Sequence, residues 1–165
     1  MFSIGQNVIC GNKGVCTIED IATLNISGVD KEKMYYILKP LYMAASRVYV
    51  PVDSALTSLR TILTREEAEE LIRSIPDIPV IEIKNERLLE QDYKSCMKSN
   101  NCTDWVKLIK TIYERKQKRL QVGRKETAID SKYFKQAEDI LYGELSVVLD
   151  IERDRVSQYI EAQLA

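Results

Sequence analysis

The chain has 165 residues, 45% of them apolar and 30% charged, with 24 Lys and Arg against 25 Asp and Glu for a net charge of −1. That length suits one compact domain or two small ones, and the composition is that of an ordinary folded, soluble protein. Histidine is absent, which excludes a Ser/His/Asp or Cys/His triad and the usual mixed zinc sites. The expectation is a protein that is not an enzyme, needs no cofactor and holds no metal.

The first residues, MFSIGQNVICGNKG, lack a basic stretch followed by an apolar core. No apolar run approaches the roughly 20 residues that a bilayer span requires. A cytoplasmic location without a membrane partner follows as an expectation. Cys10, Cys16, Cys96 and Cys102 form two pairs with five residues between partners. This is neither a redox CxxC nor a common zinc spacing, and reads as thiols kept reduced in the cytosol.

Residues 1–60 read as short strands. In QNVICGNKGVCTIEDI, β-branched residues flank the turn cluster Asn12-Lys13-Gly14, which suits a hairpin. The segment NISGVDKEK looks like a second loop, and MYYILKP and SRVYVPV are strand-like runs ended by Pro40 and Pro51. Four or five short strands without a helical period predict a small, strongly curved sheet or barrel. The loop GNKG is a weak phosphate signal that a hairpin turn accounts for by itself.

The period changes at Thr64. TREEAEELIRSIP has a capping residue, acidic residues in its first turn and a stop before Pro76, the signature of a short helix. Its carboxylates are better explained by capping than by a metal or an acid/base pair. Residues 76–84, with prolines among apolar residues, read together with this helix as the joint between modules. NERLLEQDYKSCMK then sets Leu88, Leu89, Tyr93, Cys96 and Met97 at helical spacing. From Asp104 a long helix is predicted, with Trp105, Leu108, Ile109, Ile112, Tyr113 and Leu120 as its apolar stripe and Gly123 as its stop. DSKYFKQAEDILYGELSVVL repeats the pattern, and a last helix over about 152–163 is expected behind an Asp150 cap.

Two features of the long helix compete for function. Trp105 shares a face with Leu108, Ile109 and Ile112, so burial is its simplest account. The alternative is an exposed apolar wedge in nucleic acid. Residues 105–125 also hold Lys107, Lys110, Arg115, Lys116, Lys118, Arg119, Arg124 and Lys125 against Glu114 alone. Such a run is either a solvated face with cations favoured at a helix C-terminus or a surface that neutralises phosphates without reading sequence.

The opening FSIGQNVICGNKGVCTI, the strands MYYILKP and SRVYVPVDSALTSLR, then YKSCMKS and AEDILYGELSVVL resemble the CarD/CdnL family of bacterial RNA polymerase-binding transcription regulators. The resemblance implies an α+β fold: an N-terminal Tudor-like β barrel (1–60), similar to the polymerase-interacting domain of transcription-repair coupling factor, followed by an all-α bundle (61–165). It implies a monomeric regulator whose barrel docks on the polymerase β subunit by strand-edge pairing, through Leu24, Asn25, Ile26, Arg47, Tyr49 and Pro51. The helical domain would touch the promoter DNA backbone and shift open-complex stability. Its contacts match Lys94 and Arg115, with Lys132 near a third and Lys84, Arg87, Arg119, Arg124 and Lys125 extending the surface. The position of the family's minor-groove tryptophan falls on Leu89. The competing reading is a protein interaction adaptor without DNA contact.

Overall fold

The structure, a computed structural model, describes residues 1–42 and 46–165. Its contacts divide into two units, Met1–Ile62 and Leu63–Ala165.

The first unit is a curled antiparallel half-barrel of five strands: β1 (Asn7–Ile9), β2 (Val15–Thr23), β3 (Met34–Pro40), β4 (Val48–Pro51) and β5 (Arg60–Thr61). They are ordered β4-β3-β2-β1-β5, as expected for a Tudor-like fold. β1 and β2 are joined through a 3-10 turn at Gly11–Lys13, with Gly14 at φ 70°, a backbone region that favours glycine. The pairings Val8↔Cys16, Ile18↔Leu38 and Tyr36↔Val50 put these side chains on one face, where they are buried. Phe2 closes this core edge-to-face on Tyr36, with ring centroids 5.8 Å apart, and its N–H donates to the Tyr36 hydroxyl at 3.1 Å. The short helix α1 (Ala55–Ser58) leads into β5.

The second unit holds α2 (Arg65–Ser74), α3 (Leu89–Lys98), α4 (Cys102–Gln121), α5 (Ala128–Leu149) and α6 (Val156–Leu164). α2 begins with a capping box: the Glu67 N–H donates to Thr64 Oγ1 and the Thr64 N–H to Glu67 Oε1, satisfying two amides that a helix start leaves open. Trp105, Leu108 and Ile112 of α4 are buried, as are Tyr93 of α3 and Ala137, Leu141 and Leu145 of α5. Trp105 is fully buried, so it has no surface to offer as a wedge. Burying a large apolar side chain stabilises by about 2–3 kcal/mol relative to exposing it.

Some expectations shift. The apolar stripe of α4 ends at Ile112, because Tyr113 and Leu120 are exposed. Asp150 terminates α5 in the left-handed region at φ 54° instead of opening α6. α2 and residues 76–84 lie inside the second unit, within the expected helical module 61–165. There the Ile81 N–H donates to Thr111 Oγ1 at 2.8 Å, and Lys110 Nζ donates to the carbonyls of Ile75 and Ile78 at 2.7 and 2.6 Å.

Candidate functional site

In the half-barrel, alternation turns Tyr36 and Val50 inward, which leaves Tyr35 and Ile37 of β3 and Tyr49 and Pro51 of β4 on the outer face. The partners Tyr35↔Pro51 and Ile37↔Tyr49 place them as two adjacent pairs. Tyr49 is 43% exposed. β4 is the edge of the sheet and pairs only with β3 among the described residues, so its outer side presents a row of main-chain donors and acceptors. Leu24, Asn25 and Ile26 follow β2 directly. Since Ala22, Tyr35 and Pro51 are in register, they stand at the Pro51 end of the same sheet, with Asn25 and Ile26 exposed. Arg47 precedes β4 at the other end. It is held by Glu19 in a paired contact, Nε to Oε2 at 2.5 Å and Nη2 to Oε1 at 3.2 Å, so its charge is already compensated. Sequence reasoning missed Tyr35 and Ile37, although the inward Tyr36 and Leu38 of MYYILKP imply them.

The helical unit carries its polar centre at Asp130, a fully buried carboxylate at the start of α5. The Tyr93 hydroxyl donates to its Oδ1 at 2.7 Å, and Arg115 Nε to its Oδ2 at 3.0 Å. Arg115 Nη1 also donates to Glu86 at 2.9 Å. Burial alone would lower the Arg115 pKa, but the hydrogen bonds to Glu86 and Asp130 hold it above its ordinary value. Tyr93 is likewise pushed up, by burial first and then by its bond to Asp130. Beside this cluster the Tyr133 hydroxyl donates to Glu90 at 3.0 Å.

The structure places two of the expected DNA contacts largely inward. The Arg115 side chain is 20% exposed, with Nε and Nη1 turned to Asp130 and Glu86. Leu89 is 5% exposed and packs in the core, whereas its neighbour Leu88 is 49% exposed. The remaining cations stay outward. Lys84, Arg87, Lys94, Arg124, Lys125 and Lys132 are exposed and Arg119 is half-buried. Lys132 Nζ lies 5.4 Å from the Tyr133 ring centre, within cation–π reach. Arg87, Lys94 and Lys132 each fall within two residues of Glu86, Tyr93 or Asp130, so the buried cluster also anchors their backbone. Arg119, Arg124 and Lys125 gather separately at the end of α4, where Arg119 Nε donates to the Lys125 carbonyl at 2.6 Å.

Among the described residues no group of His, Cys, Asp or Glu could hold a metal ion, and no helix is long and apolar enough to cross a membrane. The cysteines stand as thiols. Cys16 is pushed up to about 12, by burial first and by neighbouring Cys10 second. The chain thus carries a curled antiparallel half-barrel with an apolar edge, followed by a helical unit. Residues 2–63 match the model of the CarD-like/TRCF RID domain, and the first unit belongs to that family of RNA polymerase-interacting domains. No curated protein matches the chain.

Proposed function

We propose that this protein is a monomeric, cytoplasmic, non-enzymatic transcription regulator. Its half-barrel docks on the polymerase β subunit, and its helical unit contacts the promoter DNA backbone so as to shift the lifetime of the open complex. The observation that carries the reading is the edge strand β4 with its outer apolar pairs, Tyr35 with Pro51 and Ile37 with Tyr49, inside a polymerase-interacting domain. An added strand would gain main-chain hydrogen bonds along β4, with Tyr49, Pro51 and Ile26 supplying side-chain contacts. Because Glu19 neutralises Arg47, the contact is chiefly apolar.

The DNA half of the reading is supported by the outward cations Lys84, Arg87, Lys94, Arg119, Arg124, Lys125 and Lys132, with Leu88 as an apolar neighbour. If each phosphate contact is worth about 1 kcal/mol more in the open than in the closed complex, two or three shift the equilibrium roughly tenfold or more. One observation favours the adaptor reading without DNA: Arg115, Lys110 and Lys118 of the basic run are engaged by Asp130 and Glu86, by main-chain carbonyls, and by Glu114. The two readings separate in one experiment. Purified polymerase is mixed with the full chain or with Tyr49→Arg, and both co-purification and open-complex lifetime on one promoter are recorded. The wild type is expected to bind the β subunit and change the lifetime, and Tyr49→Arg to do neither. Binding without any change in lifetime would leave the adaptor reading.

A further inference from the structure

β2 departs from strict alternation at Ile18-Glu19-Asp20-Ile21. Its two isoleucines stand three positions apart, so a regular strand, whose side chains alternate between faces, would turn one of them outward. The register against β3 runs Ile18↔Leu38 and then Asp20↔Ile37, which leaves Glu19 as the extra residue of a β-bulge. Both isoleucines can then serve the core: Ile18 is fully buried and Ile21 packs against the same cluster, while Glu19 and Asp20 are both exposed. The two acids find different partners. Asp20 Oδ1 accepts the Ile21 N–H at 2.8 Å, a local bond. Glu19 reaches past β3, which lies between β2 and β4, to Arg47.

With side chains 36% and 38% exposed, this ion pair adds little to folding stability. Its geometry is more specific than that. Arg47 immediately precedes β4, a four-residue strand, and Glu19 meets it with both carboxylate oxygens, Oε2 on Nε and Oε1 on Nη2. A two-point contact of this kind fixes direction as well as distance. We propose that Glu19 is a positioning residue for the docking edge, a role that rests on the polymerase-docking reading above. The bulge aims its carboxylate at Arg47, and the pair pins the Arg47 end of β4, so that the main-chain groups an added strand must meet are already in line. An edge held before its partner arrives lowers the ordering cost of binding. Arg47 then serves the dock by holding its own strand, not by reaching for a carboxylate of the polymerase.

The test measures the affinity of the full chain for purified RNA polymerase in wild type, E19A, R47A, the reversed pair E19R/R47E, and Tyr49→Arg. Amide hydrogen exchange and urea unfolding of each free chain accompany it. E19A and R47A are each expected to weaken binding roughly tenfold, with faster exchange confined to β4 and urea midpoints close to wild type. The reversed pair should restore both the affinity and the protection of β4, which a loss of general stability would not do. If E19A binds like wild type while Tyr49→Arg does not, the edge docks without Glu19 and the positioning role alone falls. If R47A loses affinity and the reversed pair does not restore it, Arg47 touches the polymerase itself, which also overturns the proposal. If Tyr49→Arg binds like wild type, the edge is not the dock, and the docking reading falls together with the role of Glu19.

Discussion

Asp130 determines which charges of the helical unit are available. It is buried, accepts from Tyr93 and Arg115, and its own N–H donates to Thr127 Oγ1 at 3.1 Å, the N-cap bond of α5. Removing one partner of a buried pair leaves an uncompensated charge, which costs about 3–5 kcal/mol, whereas an exposed ion pair contributes about 0–1 kcal/mol. Arg115 also bonds Glu86, whose side chain is 69% exposed, so the two carboxylates test the same arginine in opposite environments. We expect Arg115→Ala to lower stability by about 3 kcal/mol, against about 0.5 kcal/mol for Glu86→Ala. Tyr93→Phe, which deletes one bond to an ionised group, should fall between them. Urea unfolding of the full chain measures all three. Equal midpoints for the Arg115 and Glu86 variants would mean that Asp130 is compensated by something else.

α4 divides along its length. Its first half faces inward through Trp105, Leu108 and Ile112, and its second half, from Tyr113, runs on with little apolar cover. Lys110 sits at the division and ties the helix to the carbonyls of Ile75 and Ile78 that end the α2 segment. Lys110→Met keeps the aliphatic stem and removes those donors, so it is expected to destabilise by about 1–3 kcal/mol. Open-complex lifetime measured on the folded variant should be unchanged. A selective loss of promoter activity at full stability would place Lys110 among the DNA contacts instead. Local pattern could reveal this helix, its buried tryptophan and its stop at Gly123, because an amphipathic period and a glycine cap are properties of neighbouring residues. It could not separate Arg115 from Lys125. The partners that hold Arg115 inward lie 15 and 29 residues away, and separations of that kind leave no local trace. The choice between Leu88 and Leu89 was illegible for a different reason. A 3-10 turn at Glu86–Leu88 precedes α3, and its three residues per turn shift the phase of the apolar stripe from the 3.6 that helical spacing assumes. In the half-barrel the alternation of MYYILKP was enough to show both faces, but not that β4 would be the edge, which depends on the strand order.

The whole molecule joins a docking surface and a cationic surface on one chain, and their contributions should combine in a characteristic way. On the proposed function, docking would raise the local concentration of the helical unit at the promoter without adding to the intrinsic strength of its DNA contact. A docking variant therefore weakens the concentration dependence of the effect while leaving its ceiling intact. A DNA variant lowers the ceiling while leaving the concentration dependence of docking nearly unchanged. A milder docking change than the arginine, Tyr49→Ala, is suited to this comparison because it trims an exposed edge residue whose removal leaves the buried Tyr36 and Val50 pair untouched. Titrating wild type, Tyr49→Ala and R124Q/K125Q against a fixed polymerase–promoter complex, we expect Tyr49→Ala to reach the wild-type lifetime at roughly tenfold or more higher concentration, corresponding to a docking loss of about 1.4 kcal/mol. R124Q/K125Q should saturate at the wild-type midpoint with a reduced plateau. The combined variant should show both defects independently, since the two sites share no residue and belong to separate units, and changes at independent sites add. A plateau lowered by Tyr49→Ala alone would contradict this division, because it would mean that the half-barrel contributes to the DNA contact and not only to delivering it.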